Sequence, residues 1–385
     1  MIRWRVDGFK PVAGRHYPRG GRQFHEWFDR EPAARSYLDA VRYRNGPACP
    51  KCGGVRAGRQ YPPRWCCPDC HRWVTLTTGT LLEHTRVPLR TWLDVCWHLT
   101  STKVGVSALS LERLVGVDYA TAWSMLHKLR AAMDQSGRDR LTGEVEMDET
   151  FVGGREIGEN KGRSRGKKQV VVVACERETP TAMGRIRLGR SPDASGLSLR
   201  KFIEANVEPG TVVVTDAWGG YPVAFELLAA DGLHYTHTTI NLSGTTAAAH
   251  IDFPHVHRVA ALLKRWLLGT HQGSVETHHL DAYLDEFVFR FNRRRSTNRG
   301  MLFWRLVCGL MDHPPLTRAQ LAQRQKDVAL DDETHFEEWE KVKAARNLAL
   351  ARERARQRRE HATAVKQAAK DGLPAPAGPD AEVPF

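Results

Sequence analysis

Two C-x-x-C pairs, CPKC at Cys49–Cys52 and CPDC at Cys67–Cys70, constrain this chain more than any other feature. Zinc takes four soft ligands converging as a tetrahedron, and two tight cysteine turns joined by a spacer supply them. The predicted ligands are Cys49, Cys52, Cys67 and Cys70, with GGVRAGRQYPPRWC between the pairs folding as the hairpin of a zinc ribbon. Cys66 competes by position, but only Cys67 keeps the C-x-x-C spacing with Cys70. The alternatives are a redox dithiol and free buried thiols; two matched pairs favour zinc over both. Four thiolates leave no open coordination position, so this metal is expected to be structural.

The chain has 385 residues, about two domains' worth at the usual domain size. Lys and Arg number 57 against 44 Asp and Glu, a net charge of +13. A surplus of that size favours a polyanionic partner, most often nucleic acid. Mean hydropathy is −0.46, and no stretch approaches the ~18 consecutive apolar residues of a membrane helix. The opening MIRWRVDGFKP lacks the apolar segment of a secretory signal. The reading is a soluble, cytoplasmic protein without a membrane partner.

Periodicity divides the chain into five regions: a helical arm over 1–40, the ribbon over 41–85, a helical region over 86–137, an α/β domain over 142–312 and a charged tail over 313–385. Glu26–Arg42 has helical spacing. Leu89–Leu99, Ser107–Leu114 and Tyr119–Met133 read as helices, the last two with helix–turn–helix dimensions and Gly116 in the turn. Tyr119–Arg130 is then the recognition helix, with His127, Lys128 and Arg130 adding positive charge for DNA; the plainer alternative is a helical hairpin with a solvated basic face. Gln135-Ser136-Gly137 marks a boundary.

From Gly143 the period changes to that of strands: Glu144–Phe151, Gln169–Cys175, Met183–Leu188 and Thr211–Thr215, with a short strand near His234–His237. Helices are expected over Leu197–Asn206, His257–Leu268 and Thr277–Arg294. Arg155–Lys168 reads as a mobile basic connection. Three consecutive strands followed by strand–helix alternation predict a mixed sheet flanked by helices. Glu333–Lys370 reads as a long polar helix and GLPAPAGPDAEVPF as a disordered end.

Two acidic residues stand out in the strands. Asp148 lies inside EVEMDETF, on one face with Glu146 and Thr150, and Asp216 follows the apolar TVVVT. A charge in such a place needs a partner or a metal; two aspartates on adjacent strands make a site for Mg²⁺ or Mn²⁺. The alternative is that Asp216 caps a turn and Asp148 pairs with a basic residue. On HRVAALLKRWLL, His257 and Lys264 are seven residues apart, two helical turns, and so share a face.

Taken together, CPKCGG with WCCPDC and TTGT, then VPLRTWL and GVSALSLERLVGVDYATAWSMLHKLR, then MDETFVGG, TDAWGGY, HRVAALLKRWLLGTHQG and YLDEFVFRFNRR resemble one family. It is that of the bacterial and archaeal insertion-sequence transposases with a ribonuclease H-like DDE domain, in the branch with an N-terminal zinc ribbon (ISXO-type elements). The likeness runs from about Glu26 to about Leu310. It implies that Asp148 and Asp216 are the first two catalytic residues, and that His257 stands at the third position, Glu in many relatives, with Lys264 two turns later. Imidazole is softer than carboxylate and favours Mn²⁺ over Mg²⁺. Glu286, in YLDEFVF, is the rival third ligand.

The resemblance further implies cleavage of phosphodiesters at the element's ends and joining of the 3′-hydroxyl to target DNA with two metals. Asp148 would bind both, Asp216 one, and His257 would complete the set, while Lys264 holds a phosphate. Lys128, Arg130, Arg293 and Arg294 are further candidate DNA contacts, and the partners implied are terminal inverted repeats, target DNA and other copies of the chain at the nucleoid. A resolvase-like nuclease and a DNA-binding protein without catalysis are the competing functions.

Overall fold

The computed structural model describes residues 10–55, 64–134, 139–153, 168–240, 253–273 and 275–370. Helices α1 (Gly21–Trp27) and α2 (Glu31–Arg42) open the chain. The single helix expected from Glu26 is interrupted at Phe28–Arg30, where Arg30 turns extended ahead of Pro32, a residue suited to a helix's first turn and not its interior. A short antiparallel hairpin, β1 (Arg64–Cys66) with β2 (Trp73–Thr75), follows. Next come α3 (Leu89–Ser101), α4 (Ala108–Val115) and α5 (Tyr119–Ala132). Ser107 and Asp118 cap α4 and α5 by accepting from the backbone N–H of Ser110 and Thr121, and Gly116 ends α4 in the left-handed conformation.

Five strands form one sheet in the order β5-β4-β3-β6-β7: β3 (Glu144–Val152), β4 (Gln169–Arg177), β5 (Met183–Ser191), β6 (Val212–Asp216) and β7 (Thr236–Ile240). The first three form an antiparallel meander, whereas β6 is parallel to β3 and β7 to β6. Two crossover helices, α6 (Gly196–Asn206) and α7 (Gly220–Ala230), cover one face, burying Val145, Met147, Val172, Ala174 and Val213. The other face takes α8 (Pro254–His271) and α9 (Thr277–Phe291), whose Val256, Val259, Leu263, Leu280 and Leu284 pack with Val171, Val173, Cys175 and Val214. The mixed sheet flanked by helices is the architecture predicted from periodicity.

Helix α10 (Arg299–Asp312) puts Phe303, Leu306, Val307 and Leu310 into one core with Phe24, Leu38, Trp92, Leu93 and Leu129. The arm, the helical region and α10 therefore share a core, which Phe289 of α9 also joins. Gly300 lets α10 approach the N-terminal arm, since a Cβ there would lie 1.7 Å from the Pro18 carbonyl oxygen.

Helix α11 (Arg318–Lys370) is longer than the expected Glu333–Lys370. Residues from Ala329 onward form a separate unit, in which Arg356 pairs with Glu353 and Glu360 along the exposed helix. The Gln135-Ser136-Gly137 boundary, the connection Arg155–Lys168 apart from Lys168, and the final GLPAPAGPDAEVPF lie outside the described residues. Among the described residues no helix is long and apolar enough to cross a membrane.

Candidate active site and metal centre

Side-chain alternation fixes the carboxylates on the α8 face of the sheet. Met147 and Val213 belong to the opposite core, so Glu146 and Asp148, and likewise Val214 and Asp216, project toward α8. The β3–β6 register pairs Glu146 with Val214; two residues further along each strand stand Asp148 and Asp216. The two aspartates are thus neighbours across the central strand pair.

Above Asp148 lies a cleft of about 440 Å³ lined by Asp148, Thr150, Val256, His257, Ala261 and Lys264. Ala260 and Ala261 stand one turn past His257, and their short side chains keep the space open. His257 Nε2 is 3.2 Å from Asp148 Oδ2, while Asp148 Oδ1 accepts from the Glu149 backbone N–H at 2.8 Å. The hydrogen bond to Asp148 raises the His257 pKa against the opposing effect of burial. Burial lowers that of Lys264, the neighbouring Lys168 adds to the effect, and Asp148 opposes it. An imidazole and an ammonium group thus face the cleft beside the Asp148 carboxylate.

The site also explains a string to which sequence reasoning assigned no role. Trp218 donates its backbone N–H to Asp216 Oδ1 at 3.0 Å and its indole N–H to the Ala194 carbonyl at 2.8 Å. A Cβ on Gly220 would come within 2.6 Å of that carbonyl and 2.8 Å of the indole nitrogen. The AWGGY turn therefore holds the Asp216 carboxylate, and Gly220 makes room for it.

A second residue went unrecognised in the sequence. Glu146 is 1% exposed and accepts from the backbone N–H groups of His255 at 3.0 Å and Val256 at 3.2 Å. It also contacts His255 Nδ1 at 2.5 Å and Arg177 Nε at 3.1 Å. Helix α8 has Phe253 at its N-cap and no side-chain cap of its own. Its first turn leaves N–H groups unpaired and carries partial positive charge, which a carboxylate satisfies on both counts. Strand β3 thereby fixes the start of the helix bearing His257 and Lys264. The signal in the sequence was a Glu on the Asp148 face together with a helix start lacking Ser, Thr, Asp or Asn.

Other predicted contacts are placed differently. Arg130 is 2% exposed and donates from Nε to Glu286 Oε2 at 2.9 Å; Glu286 is fully buried and also meets Arg290. Glu286 is thus absorbed in an ion-pair cluster and does not line the Asp148 cleft, and Arg130 has no free surface to offer DNA. Burial pushes the His127 pKa down to about 2, with Arg130 adding to the effect, so this ring is neutral. Lys128 donates to the Leu81 carbonyl. Arg293 and Arg294 donate to main-chain carbonyls and cover the Phe289 and Phe291 rings. The basic end of α5 serves packing because it docks on α9; the outward-facing part of the helix pair is its turn, with Arg113 and Tyr119 exposed.

The cysteine pairs close on one point. Cys49 and Cys70 sulfurs are 3.6 Å apart, as are those of Cys52 and Cys67, and all four lie within 4.8 Å of one another. Tetrahedral zinc at ~2.3 Å from each sulfur requires edges of about 3.8 Å, which this set approaches. Gly53 and His71, each just after the second cysteine of its pair, share the left-handed conformation that reverses the chain around the site. Cys66 is exposed and outside the cluster.

Residues 140–292 match the family of the ISXO2-like transposase domain. Over that segment the chain is similar to the insertion-sequence transposases. An uncharacterized protein in transposable element ISH50 of Halobacterium salinarum is 28% identical to it over 282 residues, covering 68% of this chain and 91% of that protein. Among solved structures, the catalytic core domain of BIV integrase is similar at 16% identity and a TM-score of 0.25, over 42% of this chain and 90% of the other. A simian T-cell lymphotropic virus intasome in complex with the PP2A regulatory subunit B56 gamma gives 14% identity and a TM-score of 0.28, over 58% and 76%. The matched segment contains Asp148, Asp216, His257 and Lys264, and it ends at Asn292, before α10.

Proposed function

We propose that this chain is a transposase that cuts the ends of an insertion sequence and joins the 3′-hydroxyl to target DNA by cation-dependent phosphoryl transfer on a ribonuclease H-like DDE domain. The observation that carries the reading is the meeting of Asp148, His257 and Lys264 in one cleft of the transposase domain, with Asp216 on the same face of the next strand. The donors suit Mg²⁺ or Mn²⁺. Two ligands at right angles and ~2.1 Å from an octahedral cation stand about 3.0 Å apart, close to the 3.2 Å between His257 Nε2 and Asp148 Oδ2. Asp216 does not close with that pair into a set within 4.8 Å. Asp148 would therefore be the ligand shared between His257 on one side and Asp216 on the other. Bound there, divalent cations would activate the attacking oxygen and stabilise the leaving one.

The chain's own groups have separate tasks. Lys264 holds a DNA phosphate at the mouth of the cleft as a point charge. His257 and Asp148, 3.2 Å apart, would hold the cation between them in place of their mutual hydrogen bond. Glu146 keeps α8 from shifting as DNA engages Lys264. The ribbon and helix–turn–helix recognise the terminal repeats, using the exposed turn near Arg113 and Tyr119, and copies of the chain assemble on the paired ends.

The test is a nicking assay on the inverted-repeat DNA flanking the gene. Nicks at the repeat ends are expected with Mn²⁺ and, more slowly, with Mg²⁺, and none in a chelator. Repeat binding without nicking in either cation would leave a DNA-binding protein derived from a transposase.

For the ribbon, we propose one zinc per chain, retained through dialysis on Cys49, Cys52, Cys67 and Cys70. Cys67→Ser should release it and loosen the small core of Trp65 and Val74 that packs with the cysteines. Cys66→Ser should retain it, as measured by elemental analysis. Equal loss in both variants would refute this ligand assignment.

A further inference from the structure

A second set of metal-type donors meets where α9 begins. Glu276, just before the helix, with His278 and His279 in its first turn, brings a carboxylate oxygen and two imidazole nitrogens within 4.8 Å of one another. His278 Nε2 and Glu276 Oε2 are 2.9 Å apart. The rings of His278 and His279 have centroids 4.0 Å apart. Consecutive residues on a helix point ~100° apart, so such closeness means that both rings turn toward a common point.

Further imidazoles adjoin them. The His127 ring of α5 is 4.9 Å from that of His279, and the His271 ring at the end of α8 is 4.2 Å from Tyr283. His127 is 6% exposed, and its Nε2 finds no hydrogen-bond partner among the described residues. A buried imidazole nitrogen left unpaired is costly. Four histidines from three helices thus lie close together, and one of them holds an unsatisfied donor atom beside the set.

We propose that Glu276, His278 and His279 bind Zn²⁺, with the His127 ring packed beside that of His279. Two imidazoles and a carboxylate suit zinc and other late first-row ions better than Mg²⁺ or Ca²⁺. The site differs from the four-thiolate cluster in its harder donors and from the Asp148 cleft in its softer ones. A helix start opposes a cation there, and the Glu276 carboxylate offsets that effect. Arg130 nearby is already answered by Glu286. The zinc is therefore held less tightly than at the cysteines. Its ligands begin α9, where the His127 ring of α5 packs against His279.

Titration calorimetry with zinc chloride on the full chain, already carrying its dialysis-resistant zinc, tests the proposal. A second equivalent per chain should bind. It should vanish in His278→Ala/His279→Ala, and Glu276→Gln should weaken it about tenfold or more. Retention of the first zinc and an unchanged melting temperature without added metal report that the variant is folded. Should the double variant unfold, His278→Gln, at a half-exposed position, must show the same weakening. The absence of a second equivalent in the native chain, or its persistence in these variants, would overturn the site.

Discussion

Asp148→Ala is expected to lower cation-dependent strand cleavage by about three orders of magnitude or more while repeat binding stays within about twofold. The size follows from the several kcal/mol of charge stabilisation that a catalytic cation contributes, each 1.36 kcal/mol being about tenfold in rate. Asp148 carries the largest effect because it is the carboxylate paired with His257 and adjoins Asp216 across the strand pair. Asp216→Ala should come next. His257→Glu should keep part of the activity and shift preference from Mn²⁺ toward Mg²⁺, since carboxylate is the harder donor. Single-turnover nicking and gel-shift titration on the same DNA separate chemistry from binding. Cleavage by Asp148→Ala at near-native rate would remove the cleft from the mechanism.

Glu286→Ala should destabilise the fold by about 3–5 kcal/mol, the cost of leaving a buried charge without its partner. Arg130 is 2% exposed and Glu286 0%, and the pair links α5 of the helical core to α9 of the sheet domain. Replacing both, as Arg130→Met with Glu286→Leu, should recover most of the loss, because desolvating an ion pair offsets much of its attraction. Urea denaturation followed by tryptophan fluorescence gives both numbers. Loss of cleavage in Glu286→Gln with unaltered stability would instead return Glu286 to the chemistry as a metal ligand.

Local rules made much of this protein legible from residues alone. Alternation in EVEMDETF and the β-branched runs QVVVVAC and TVVVT marked the central strands, because side-chain period is a property of the strand itself. Seven-residue spacing put His257 and Lys264 on one helix face for the same reason. Cysteine spacing gave the four sulfurs that meet near Trp65.

Tertiary structure decided whatever depends on which element packs on which. The charges of His127, Lys128 and Arg130 look alike in the sequence, yet α5 turns them inward against α9 and Leu81, where they are neutralised, paired or bonded. Glu286 and Glu146 are both fully buried glutamates. Only the fold makes one the counter-ion of Arg130 and the other the cap of α8. Helix α10 lies far in sequence from the arm whose core it completes. A sequence sets the period, spacing and charge of each segment; burial, which fixes whether a charge meets water, DNA or another side chain, is set by partners distant in the chain, as Glu286 is 156 residues from Arg130.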